Sequence, residues 1–93
     1  SDLDALLVRT LDETGARVVF TDLQAGSCTM ATRRVLRGHP DVLLIAGVNL
    51  PMLLDFAFAE QMAPVEAARH ALERGKAAIS ATGGTGGTAG GGA

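Results

Sequence analysis

The residues in this sequence that could do chemistry fall into two short stretches. The first, Asp22-Leu23-Gln24-Ala25-Gly26-Ser27, sets a carboxylate and a hydroxyl around one glycine. The second, Gly47-Val48-Asn49-Leu50, sets a side-chain amide after another glycine and just before Pro51. A carboxylate such as Asp22 is a poor ligand for phosphate but a good acceptor for an imidazole N–H, so it can orient a histidine. Ser27, followed by a helix start with its free N–H groups and positive dipole end, suits an anion. Side by side, the two stretches would make a phosphate cradle. The ordinary alternative, that Asp22 and Ser27 only shape a turn and cap a helix, is equally consistent with the residue types.

The remaining candidates carry less. Cys28 and His39 could suggest a thiol–imidazole pair, but Gly38-His39-Pro40 reads as a surface turn and nothing supplies a third, orienting group. His70 stands in Glu66-Ala67-Ala68-Arg69-His70, which reads as a solvated helix face. No cluster of His, Cys or carboxylates has metal-ligand spacing. The run Gly83-Gly84-Thr85-Gly86-Gly87-Thr88 lacks the Gly-Lys-Ser/Thr ending of a phosphate-binding loop and is no dinucleotide fingerprint. Met52, Phe56 and Phe58 are read as core or interface.

Both stretches sit where a strand passes into a helix. Ser1 or Asp2 caps a first helix whose apolar positions are Leu3, Leu6, Leu7 and Leu11, with Gly15 as its stop. Residues 17–21 form a β-branched strand that leads into the Asp22 stretch. A helix over 27–36 comes next, with Met30, Ala31 and Val35 facing inward. The uninterrupted apolar run 42–46 predicts a strand covered on both faces, leading into the Gly47 stretch. Pro51 suits the first turn of a helix reaching about Gln61, and Pro64 opens a last helix with Val65, Ala68, Leu72 and Ile79 on one stripe. The order is helix, two β-loop-α units, helix, which predicts an α/β fold with a parallel sheet. In such sheets both β-to-α loops lie at the carboxyl edge of the strands, where ligands bind. Only two strands are evident, too few for a stable, doubly covered sheet. The sheet is therefore expected to be completed by a missing segment or by another chain, and the 93 residues alone to be oligomeric, aggregated or poorly folded.

Composition bounds the rest. Residues 1–82 suffice for one small domain, here a partial one, and 83–93 contain only Gly, Thr and Ala, a flexible linker or tail. Aromatics are 3% against 47% hydrophobic residues, so the core must be aliphatic. A net charge of −2 gives no footprint for nucleic acid. No apolar run is long enough for direct membrane insertion, and no signal peptide opens the sequence. The one cysteine, Cys28, fits a reducing, cytoplasmic compartment.

Two segments resemble a known family. Val19-Phe20-Thr21-Asp22-Leu23-Gln24-Ala25-Gly26-Ser27 is similar to the strand and active-site loop of mannose/fructose/sorbose-family IIA domains of the sugar phosphotransferase system, commonly hydrophobics and then Asp-Leu-x-Gly-Gly-Ser-Pro. Ile45-Ala46-Gly47-Val48-Asn49-Leu50-Pro51-Met52-Leu53 resembles the family's Gly-Val-Asn-Leu/Ile-Pro-Met-Leu signature almost without change. The spacing and element order also match, over about residues 1–80. The resemblance implies a three-layer α/β/α sandwich with a mostly parallel sheet, usually dimeric. It implies a phosphoryl relay: the phosphocarrier protein phosphorylates a histidine of the IIA domain, which passes the group to a IIB domain. It implies no cofactor.

The family's acceptor histidine comes after its first strand in a Ser/Thr-His-Gly motif, which neither His39 nor His70 matches. The sequence would thus begin at the family's second helix, and a histidine outside these residues would accept the phosphoryl group. The resemblance casts Asp22 as the carboxylate that orients that histidine, Gly26 and Ser27 as the phosphoryl-binding loop, and Gly47 and Asn49 as the neighbouring wall. Two positions depart from the pattern. Ala25 replaces a glycine, where the backbone could need unusual dihedrals, and Cys28 replaces a proline with its preset first-turn angle. A noncatalytic regulatory or interaction module of the same fold is the alternative, and an unrelated small α/β binding domain a third reading.

Overall fold

The computed structural model describes residues 2–85. The elements run α1 (Asp2–Thr14), β1 (Val18–Thr21), α2 (Ser27–Leu36), β2 (Leu43–Ala46), α3 (Leu50–Phe58) and α4 (Pro64–Ala77). The expected order holds throughout, with strand and helix starts within a residue or two. Gly15 ends α1 as expected: its φ of +66° is left-handed, a region that favours glycine, and its N–H returns to Leu11 O at 2.9 Å. The part of the Gly/Thr/Ala tail beyond Thr85 lies outside the described residues.

β1 and β2 pair in parallel, with Val18 beside Leu43 and Thr21 beside Ala46. They form a two-stranded sheet, so the α/β expectation holds at this level. Because side chains alternate along a strand, Val18, Phe20, Leu43 and Ile45 share one face and Val19, Thr21, Leu44 and Ala46 the other. The first set packs with α3 and α4 around Ile45, Met52, Ala68 and Ala71, joined by Val48, Phe56 and Leu72. Phe20 meets Phe56 edge-on at 5.0 Å between ring centroids, a favoured aromatic geometry. On the other face, Thr29 of α2 reaches Thr21. α1 packs against α2, where Arg34 grips Asp4 with Nε to Oδ2 at 3.0 Å and the second nitrogen to Oδ1 at 2.9 Å. That exposed pair raises the Arg34 pKa above its ordinary value, through the hydrogen bond to Asp4 first and its charge second.

α3 and α4 form an antiparallel hairpin. The Ala63 N-cap is extended at φ −62° and ψ 149°, as the residue before a proline must be, so a helix cannot run through it. This turn ends α3 at Phe58 rather than near Gln61. Other departures concern which side chains are inside. Met30 is exposed, whereas the buried face of α2 is Thr29, Ala31 and Thr32. The two threonines can be buried because their hydroxyls are satisfied, Thr32 by Cys28 O at 2.6 Å and Thr29 by the β1 end. Ile79 lies past the end of α4 and is exposed, Phe58 is exposed rather than core, and on α1 only Leu11 is buried. All four β1 residues and three of the four in β2 are half-buried. The cause is common: two strands cover too little area to bury every inward-facing side chain.

Candidate functional site at the carboxyl edge of the strands

The two β-to-α loops lie together. Thr21 ends β1, and its carbonyl accepts from Gly47 N–H at 2.9 Å and from Val48 N–H at 3.1 Å. One carbonyl at the β1 end thereby fixes the turn that leaves β2. Gly47 makes this turn at φ +81°, where a side chain would be strained. A Cβ there would stand 4.0 Å from Gln24 Cγ, so the loops touch.

Asp22 comes directly after Thr21. It is exposed, and its carboxylate makes no hydrogen bond or ion pair among the described residues. Ser27 is exposed too, at the first position of α2. It is not the cap: Gly26 holds that position, with extended backbone at φ −74° and ψ 160° and no side-chain hydrogen bond. A glycine cap cannot cover the first-turn N–H groups with a side chain, so these donors are left to solvent or a ligand. Gly26 N–H itself turns back to Leu23 O at 3.4 Å. Ala25 has no positive φ, so its methyl meets no dihedral obstacle in this loop.

Asn49 does more than line a wall. It is the N-cap of α3: Oδ1 accepts from Met52 N–H at 3.1 Å, while Nδ2 donates to Gly75 O at 2.9 Å. Its side chain therefore locks the second loop to both helices of the hairpin. Asp22, Ser27 and Gly47 are exposed in two loops that meet through Thr21 and Gln24, while Gly26 and Asn49 are half-buried.

Three positions that sequence reasoning passed over hold this arrangement. Thr29 and Thr21 share a hydroxyl hydrogen bond at 2.6 Å, and Thr29 also bonds the Leu23 carbonyl. A hydroxyl has one proton, so each threonine supplies one donor, and together they pin the Asp22 loop against α2. Gly75 lies buried in the last turn of α4, where a Cβ would meet Met52 Cβ at 2.8 Å and Asn49 Oδ1 at 2.9 Å. A helix-interior glycine without a turn to make was the sequence signal for this close approach.

The two histidines stand apart from this surface. His39 Nδ1 lies 3.2 Å from Val35 O, at the carboxyl end of α2. Cys28 is at the opposite end, roughly 15 Å away by helical rise, so the two form no dyad. His70 is exposed on α4, with Nδ1 2.8 Å from Asp55 Oδ2 of α3, a pairing the sequence pattern does not foretell. Among the described residues no group of three metal-ligating side chains converges, and no helix is long and apolar enough to cross a membrane.

The model of a protein family described as the PTS system fructose IIA component matches residues 3–73. No curated protein and no solved structure matches the chain. The matched segment runs from α1 into α4 and includes both loops, well over half of the sequence. The chain therefore belongs to the fructose IIA component family of the sugar phosphotransferase system.

Proposed function

We propose that this domain relays a phosphoryl group from the phosphocarrier protein to a IIB domain in the cytoplasm, through a histidine that lies outside these residues. Asp22 orients that histidine by accepting its Nδ1–H, which leaves the Nε2 lone pair free to attack phosphorus. As the bond from Nε2 to phosphorus forms, the bond from phosphorus to the carrier's imidazole nitrogen breaks. The reverse exchange then delivers the group to IIB. Ser27 and the first-turn N–H groups of α2 hold the phosphoryl oxygens, and the Gly47 turn forms the adjoining wall. A transfer of this kind is governed by positioning and electrostatics, which these groups provide.

The observation that carries the reading is the exposed Asp22 carboxylate, without a partner among the described residues, in the loop that leads to an uncapped helix start and is locked by Thr21 to the second loop. In the complete domain, the sheet belongs to a three-layer sandwich and the molecule to a homo-oligomer. Residues 1–82 form the IIA portion, and 83–93 serve as a linker. The test is to incubate the domain, joined to its upstream acceptor segment, with radiolabelled phosphorylated carrier. Label should appear on one histidine upstream of Ser1 and on neither His39 nor His70. Absence of label with a carrier that phosphorylates another IIA domain would favour the noncatalytic, regulatory reading.

A further inference from the structure

Asp22 is held through its two neighbours rather than by its own side chain. The carboxylate is exposed and makes no hydrogen bond or ion pair among the described residues, so its direction is set by the backbone that carries it. Both flanking residues are tied to one atom, Thr29 Oγ1 of α2. The Thr21 hydroxyl lies 2.6 Å from it, and the Leu23 carbonyl is bonded to it as well. Thr29 is 1% exposed. A carbonyl can only accept, so the Thr29 proton goes to Leu23 O, and the Thr21 hydroxyl must donate to Thr29 Oγ1. Leu23 O takes a second bond from Gly26 N–H at 3.4 Å, while Thr21 O holds the Gly47 and Val48 N–H groups at 2.9 and 3.1 Å. Residues 21 and 23 are therefore each fixed twice, with Asp22 suspended between them.

We infer that Thr29 is a positioning residue for phosphoryl transfer: through the Thr21 hydroxyl and the Leu23 carbonyl it aims the Asp22 carboxylate at the acceptor imidazole, and it touches no reactant itself. The inference rests on the proposed phosphoryl relay and adds to it the part of the fold that sets the Asp22 geometry. Burial gives the hydroxyl this role. At the surface it could exchange its partners for water, whereas in the interior the loss of either bond leaves a polar group unpaired. The two threonines are not equivalent. Without the Thr29 hydroxyl both ties are lost, but without the Thr21 hydroxyl Thr29 still holds Leu23 O. Transfer is sensitive to such placement, since an error of about 1 Å in a positioned group can cost about 100-fold in rate. If Thr29 only packed α2 against β1, its loss would lower stability with no link to Asp22.

The experiment is a double-mutant cycle on single-turnover transfer from phosphorylated carrier to the domain joined to its upstream acceptor segment, below the unfolding transition of every variant. Thr29→Val should lower the maximal rate about tenfold with half-saturation by the carrier unchanged, and Thr29→Ser should restore it. In a domain that already carries Asp22→Asn, Thr29→Val should change the rate less than about twofold, because the carboxylate it aims is gone. Thr21→Val, the gentler change, should lower the rate about threefold, and this loss too should vanish in the Asp22→Asn background. A merely structural role would leave the effects independent, and the losses would multiply. Multiplying losses, an unchanged rate in Thr29→Val, or a loss that Thr29→Ser does not recover would each overturn the inference and leave the relay standing. No transfer to the wild-type domain, from a carrier that phosphorylates another IIA domain, would overturn the relay and the inference with it.

Discussion

Asn49 uses both ends of its amide inside the fold, as cap of α3 and as tie to α4, so its substitution should read out as stability before it reads out as activity. Asn49→Ala should cost about 1–3 kcal/mol in urea unfolding. Asn49→Asp should recover part of this, because a carboxylate can still accept from Met52 N–H, but it cannot donate to Gly75 O. Gly75 is bound to the same junction by shape. Gly75→Ala forces a methyl to within 2.8 Å of Met52 Cβ, and both atoms belong to helix-anchored positions that cannot swing away. A loss of about 1–3 kcal/mol is expected, measured by the same denaturation. Gly47→Ala tests a different cost, that of a side chain at φ +81°, and should remove about 1 kcal/mol while loosening the second loop.

At the scale of elements, the β1–α2 unit holds the Asp22 loop through Thr21 and Thr29. Thr29→Val keeps the shape and removes the hydroxyl, leaving Thr21 Oγ1 and Leu23 O short of a partner. It should cost about 1–2 kcal/mol and speed amide exchange within residues 22–26, whereas Thr29→Ser should preserve both. This pair of threonines also marks where the sequence stops being legible. The strands, the helices and both loops could be read, because uninterrupted apolar runs alternate with helical spacing and end at Gly and Pro. The inner face of α2 could not, since a threonine looks polar until its hydroxyl partners are known, and Met30 looks inward until the sheet beneath it proves too narrow. The uncapped start of α2 was hidden for a similar reason: Ser27 has the residue type of a cap, but the backbone places Gly26 there. The partnership of Asp55 with His70 joins positions on two helices, and only the closeness of the hairpin reveals it.

For the whole molecule, the core is thin. Among the described residues the buried apolar side chains are Leu11, Ile45 and Met52 with four alanines, while Leu50, Leu54 and Phe58 stand exposed at helical spacing along α3. A chain of this size with so little burial is marginal. The 93 residues alone should unfold at low denaturant and scatter light increasingly with concentration. Replacing Leu54 and Phe58 with glutamate should reduce the scattering without lowering the unfolding midpoint, because both side chains already face water. A cooperative thermal transition that does not depend on protein concentration would count against this view. Family membership explains the two matched loops and their spacing.

The central claim is that Asp22 orients an acceptor histidine brought to this surface. Its most direct test is the single-turnover rate of phosphoryl transfer from phosphorylated carrier to the domain with its acceptor segment, for wild type and Asp22→Asn. The exchange keeps the side chain's size and removes the charge that fixes the imidazole, so the rate should fall roughly 100-fold while the unfolding midpoint stays unchanged. An unaltered rate in the Asp22→Asn domain would contradict the account.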